Sequence, residues 1–312
     1  MKKTSCFTEY TLCDHRHFQI IKGISIFIIV LVHLCNRYLN FPYLSPVAGA
    51  AVAVFLLCSG YGLSESFEKK GLEGFWANKI IKVWLPSFLS ISIFSLIAWN
   101  GLSAWVFQHP FFLYGWYLQV LFGEYIVFWL AFRFLKNKNI RMVTMFAVSV
   151  VAFILIRSQL YAEQLFCFPI GVAFSQMHLK EKMGRWKAKQ KIVVLLGCAI
   201  AAGVFFLLRK LFTQYCLVNS IWAGCKMSIA FLICLVPYYC QKLRVFDIMV
   251  PLGTISYMLY LLNNDILRLL ENGTSWYVVA GVLALLIVAA YVFKWLCDFL
   301  ARVYAKTVNR QT

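Results

Sequence analysis

The chain has 312 residues, 62% of them hydrophobic and only 13% charged, at a mean hydropathy of +0.75. A water-soluble domain carries roughly 25% charged residues, and one core near this size cannot hide so much apolar surface. The charge is lopsided, 30 Lys+Arg against 12 Asp+Glu for a formal +18, but the basic residues sit between apolar runs, which excludes a nucleic-acid footprint and points to a polytopic membrane protein.

The first 19 residues are polar, and the apolar run that follows is long enough to cross a bilayer, so an uncleaved first helix is expected to enter the membrane. Ten spans are predicted, at 20–38, 46–64, 83–99, 111–133, 141–157, 160–178, 191–208, 217–239, 249–267 and 276–301. The sixth is interrupted by Glu163, Gln164 and Pro169. A short basic tail, 302–312, closes what reads as one compact all-α domain over 1–312. The eleven cysteines are odd in number, include no CxxC, and lie mostly in apolar runs. They read as small packing residues, and no metal site is expected.

Alternating loops carry very unequal charge. With the N-terminus set inside, the inner segments hold 24 Lys and Arg and the outer ones five (Arg37, Arg157, Arg209, Lys210 and Arg268), with Lys226 left inside a span. The positive-inside rule then places both termini in the cytoplasm.

Span one carries Lys22 near its inner end and His33 eleven residues on. At 1.5 Å and 100° per residue, that is about 16 Å and three turns plus about 20°, so the two lie on one face. An ionisable group at the depth of His33 is costly and faces a cavity or a partner helix. Lys22 taken alone reads as a snorkelling interface lysine. Near the inner end of span two, Ser59, Gly60 and Gly62 allow close backbone approach. Lys79 and Lys82 share a helix face at i, i+3, and with Lys22 they would form a basic pocket suited to phosphates. The positive-inside rule alone also places lysines there. Glu124 is expected within span four, either orienting His33 or, the favoured alternative, pairing Lys226 across helices. Trp116 reads as an interface anchor before a substrate-stacking ring.

These segments resemble the acyltransferase-3 family of membrane proteins. Lys22-x10-His33 is similar to its basic-x10-His signature, AVFLLCSGYGL to its FF-x-x-SG segment, and Phe75-x3-Lys79-x2-Lys82-x3-Pro86 to the start of its third span. GWYLQVLFGEY from Gly115, FCFPIGVAF and LGTISYMLYLL from Leu252 resemble later helices of the family, in order. The resemblance implies ten core helices in the plasma membrane and O-acyl transfer, with acetyl-CoA as donor and a carbohydrate hydroxyl as acceptor. It implies that His33 is the catalytic base and that Lys22, Lys79 and Lys82 bind the donor. Ser59, Glu124, Trp116, Tyr257 and Asn263 are expected to support the site, with Asn36 and Asn264 as further oxyanion donors. Without an attached extracytoplasmic domain, delivery outside would need another protein.

The chain departs from the family pattern in three ways. Lysines stand where arginine is frequent, Gln19 replaces a frequent Asp, and Asn263 replaces a frequent second histidine. A mechanism needing two intramembrane histidines is therefore not expected. The competing reading is a transporter or flippase in which His33, Glu124 and Lys226 couple to a proton or substrate. No inverted repeat supports it. A third reading is a degenerate homologue kept as an assembly partner.

Overall fold

The computed structural model describes residues 10–97, 113, 115–270 and 275–308. Lys2, Lys3, His109 and Arg310, with the ends of the third and fourth expected spans, lie outside them. No strand occurs among the described residues. Eight helices are long and apolar enough to cross a membrane, or nine if one bent pair counts as a span. The chain is an all-α, multi-pass membrane protein.

The helices are α1 (His15–Tyr38), α2 (Ser45–Lys70), α3 (Phe75–Leu96), α4 (Gly115–Phe134) and α5 (Lys138–Leu155). Next come the short α6 (Gln159–Ala162), α7 (Cys167–Gln176) and α8 (Leu179–Gly184). Then follow α9 (Ala188–Leu208), α10 (Tyr215–Tyr239), α11 (Val250–Thr254), α12 (Ser256–Ile266) and α13 (Trp276–Val308).

Local chemistry sets several of these boundaries. Asp14 caps α1: its Oδ1 accepts the His17 N–H at 2.8 Å and its Oδ2 the Thr11 N–H at 2.7 Å, a cap of about 1 kcal/mol. The helix thus starts before the expected position 20, and it takes His17 out of the polar segment into a buried first turn. The Tyr10 hydroxyl donates to the Pro237 carbonyl at 2.8 Å, which docks the N-terminal segment on α10. Burial, with the Asp247 carboxylate adding to it, pushes the Tyr10 phenol up to about 12, so it stays a donor. Within α3 the turn widens to a π-helix over Ile80–Trp84, where Leu85 N–H bonds Ile80 O. Pro86 explains the widening, because its ring would press on the carbonyl of Lys82 in a regular helix and its nitrogen has no proton to give.

The sixth expected span, 160–178, is not a continuous helix. The chain turns over 163–166 and restarts at Cys167. Two of the residues that interrupt the pattern are the cause, for each has a partner elsewhere. Glu163 pairs with Lys226, and Gln164 Nε2 donates to Gly49 O at 3.0 Å. The ninth expected span, 249–267, bends by 76° around Ile255. These two exceptions are the reason the ten expected spans become eight or nine.

The broken elements are also among the tightly packed ones. Gly60 of α2 meets the Phe168 carbonyl of α7, and Gly171 of α7 meets the Leu57 carbonyl of α2, so a methyl at either glycine would collide with backbone. The same reciprocal contact joins α1 and α11, through Gly23 against Met249 O and Gly253 against Gln19 O. Close backbone approach of this kind is how membrane helices gain packing without a hydrophobic driving force. The crossings fix α1 and α2, the two helices that carry the site.

Candidate active site

Two cavities lie along α1 and α2. The first, of about 300 Å3, is lined by Ser59, Gly62, Ser66 and Lys70 of α2, Asn78, Lys79 and Lys82 of α3, and Tyr125 of α4. Lys79 Nζ sits 4.7 Å from the Tyr125 ring centre and 5.7 Å from that of Phe75, so two aromatic faces hold the cation. Tyr125 is hydrogen-bonded to Ser59. Glu73 also lines the cleft, yet none of Lys70, Lys79 and Lys82 is ion-paired among the described residues. Lys22 is not a wall of this cleft. Its ammonium lies 5.8 Å from the Phe18 ring centre and near enough to Lys79 and Cys58 to act on both electrostatically. Of the three lysines expected together, Lys79 and Lys82 share this cleft and Lys22 lies near it, while Ser59, expected beside His33, lines the cleft instead. Sequence reasoning missed Lys70, whose one signal was its position at the end of the helix bearing Ser59.

The second cavity, of about 330 Å3, holds His33 and Asn36 of α1, Gly49 of α2, Trp116 of α4, Lys226 of α10, and Tyr260, Asn263 and Asn264 of α12. The His33 ring is half-buried and makes no hydrogen bond to a described residue. Arg37 donates to Asn264 Oδ1 at 2.9 Å and ties α1 to α12 beside the chamber. Asn263 Nδ2 donates to the Tyr260 carbonyl at 2.6 Å, while Asn263 Oδ1 and Asn36 Oδ1 are buried with no partner among the described residues. An amide fixed in this way keeps its oxygen free as an acceptor. Asn263 therefore cannot spend that N–H on an oxyanion in this arrangement.

Lys226 is the chamber's cation. It is buried, lies across Gly49 and forms an ion pair with Glu163, which also accepts Gln159 Nε2 at 2.6 Å. This corrects the expectation for Glu124. That carboxyl is buried in α4, is not a wall of the chamber, bonds no described residue, and neither orients His33 nor pairs Lys226. The Lys226 partner had been read as an interruption in a helix. The coupling set of His33, Glu124 and Lys226 is accordingly not assembled.

Two other expected site residues serve elsewhere. Tyr257 is not a wall of the chamber; its hydroxyl donates to Val83 O at 2.6 Å, pinning α12 to the widened turn of α3. Ser59 belongs to the basic cleft. Trp116, read first as an interface anchor, lines the chamber and packs near Tyr161 and Tyr117.

Tyrosines occur at both cavities and on α4 between them. Tyr125 is a wall of the cleft and Tyr260 a wall of the chamber. Tyr117 sits with its ring centre 5.0 Å from that of Tyr260. Tyr117 and Tyr125 stand eight residues apart on α4, about 12 Å along its axis. The cations without an ion-pair partner and the imidazole without a hydrogen bond among the described residues thus lie in separate cavities.

A model of the acyltransferase-3 family, described as an acyltransferase domain, matches residues 17–295. The chain belongs to this family. The match takes in both cavities, and the protein is a membrane acyltransferase at the level of its family. No curated protein and no solved structure matches the chain.

Proposed function

We propose that this acyltransferase moves an acetyl group from acetyl-CoA to a hydroxyl of a cell-surface or precursor carbohydrate, working in the plasma membrane with its basic end in the cytoplasm. The observation that carries the reading is a His33 imidazole without a hydrogen bond in one cavity and, in the other, Lys70, Lys79 and Lys82 without ion-pair partners among the described residues. Unspent cations fit phosphates, though lysine meets them as a point charge and not as a bidentate fork. When bound, acetyl-CoA supplies the activated acyl group as a thioester.

The chain's own residues supply the rest. His33 accepts the proton of the attacking hydroxyl as general base, a role that typically contributes 10²–10⁴-fold. The unpartnered Asn36 and Asn263 oxygens accept hydrogen bonds from a polyhydroxylated acceptor. Lys226 retains N–H donors beyond the one given to Glu163 and stabilises the oxyanion, a contribution of order 10²–10³-fold for one donor. Asn263 in place of a second histidine leaves one base to act: His33 accepts the hydroxyl proton as the hydroxyl oxygen bonds the acyl carbon, then gives that proton to the CoA thiolate that departs as the C–S bond breaks. No nucleic acid takes part.

The test combines purified protein with isotopically labelled acetyl-CoA, scoring CoA release and acetyl transfer, and mass spectrometry of cell glycans with and without the gene. Transfer that disappears with His33→Ala while CoA still binds supports the reading. Wild-type protein that binds no CoA and acetylates no glycan contradicts it.

A further inference from the structure

A third cavity, of about 360 Å3, lies outside the acyl-transfer machinery. Its walls include Ile21 of α1, Leu57 of α2, Phe174 of α7, Val194 and Cys198 of α9, and Phe231 of α10. The cause is visible in the packing. Helix α9 lies along α10, has no buried residue, and does not close onto α1, α2 or α7. The space left between is the cavity.

Water does not suit it. A buried water needs two to four polar partners, and the polar groups here are already engaged. His17 Nδ1 accepts the Cys13 N–H at 3.2 Å, and its other ring nitrogen lies 2.8 Å from the Cys234 carbonyl. Those partners settle the tautomer, with the proton on Nε2. The Tyr61 hydroxyl lies beside the Glu65 carboxylate. An empty apolar space of this size would forfeit dispersion contacts along every wall. Hydrocarbon satisfies both conditions. At about 30 Å3 per small group, the share of one water in the liquid, the cavity holds roughly a dozen methylenes.

Charge indicates which hydrocarbon. Leu179 and Met183 of α8 line the cavity, and the segment from 180 to 191 carries six Lys and Arg against Glu181 alone. Lys180 lies close enough to Cys13 on the cavity wall to act on it. Lys191 sits over the rings of Tyr238 and Tyr239, at 5.8 and 5.2 Å. Basic clusters beside membrane helices attract anionic headgroups. We propose that this cavity takes one acyl tail of an anionic phospholipid whose headgroup rests on the cationic segment 180–191. The cavity is lined by neither His33 nor the cleft lysines, and it shares one wall residue, Cys58, with the basic cleft.

Native mass spectrometry of the full chain, delipidated and titrated with phosphatidylglycerol or phosphatidylcholine, tests the site. One phosphatidylglycerol should be retained at least tenfold better than phosphatidylcholine. Cys198→Phe, which fills the cavity, should cut that retention about tenfold, whereas Val288→Phe on the exposed side of α13 should not. If Cys198→Phe misfolds, Ala173→Leu fills the same space from α7. Equal retention of both lipids, or retention unchanged in the filled variants, would overturn the proposal. Stoichiometric displacement of phosphatidylglycerol by palmitoyl-CoA but not acetyl-CoA would also overturn it, assigning the cavity to a long acyl donor instead.

Discussion

The basic cleft and the His33 chamber treat their lysines in opposite ways. In the cleft, Lys70, Lys79 and Lys82 have no carboxylate partner among the described residues, and Lys79 is steadied by aromatic faces. In the chamber, Lys226 is buried and locked to Glu163. An unpaired cation at a cleft wall awaits a ligand's charge. A paired one is an oriented part of the protein, because a lone ammonium cannot persist at that depth. The first kind should govern donor affinity and the second the chemical step.

The largest effect that sharpens this contrast is expected at His33. His33→Ala should lower the rate of transfer by about 10²–10⁴-fold, with CoA affinity unchanged by isothermal titration. Lys226→Met comes next, with a loss of about 10²–10³-fold in kcat and some loss of fold, since it strands Glu163. The double variant Lys226→Met with Glu163→Met should restore thermal stability and leave kcat low. Recovery of both would make the pair purely structural. Lys82→Ala should raise the KM for acetyl-CoA about 10–100-fold, on the scale of one charge-assisted hydrogen bond, with kcat near wild type. That KM should also climb with added salt, as exposed charges are screened. The smallest effect is expected for Tyr257→Phe, a loss of about 1 kcal/mol of stability from its bond to Val83 O, read by thermal unfolding with both kinetic constants unchanged.

Much of this arrangement was legible in the residues, for reasons tied to periodicity. The eleven-residue step from Lys22 to His33 puts both on one helix face, and a single helix, α1, carries both. Lys79 and Lys82 were legible as an i, i+3 pair. What stayed hidden depends on contacts distant in sequence. Hydropathy marks 160–178 as a weakened span, but it cannot show that Glu163 leaves the helical pattern to meet Lys226, sixty-three residues on. Nor can it distinguish a helix facing lipid from one facing protein. The exposed α9 and the buried α7 are both apolar, and only the reciprocal glycine contacts reveal that α7 is core. Tyr257 matched a family motif, yet its hydroxyl holds a helix and not a substrate. A motif assigns a position in the fold more securely than a role.

The central claim is that donor binding and proton transfer are divided between the two cavities. Steady-state kinetics of Lys82→Ala and His33→Ala, with acetyl-CoA varied at saturating acceptor, measure that division directly. The account predicts that Lys82→Ala raises KM and spares kcat, while His33→Ala abolishes kcat and spares CoA binding. Equal falls in kcat for both variants with KM unmoved would contradict it.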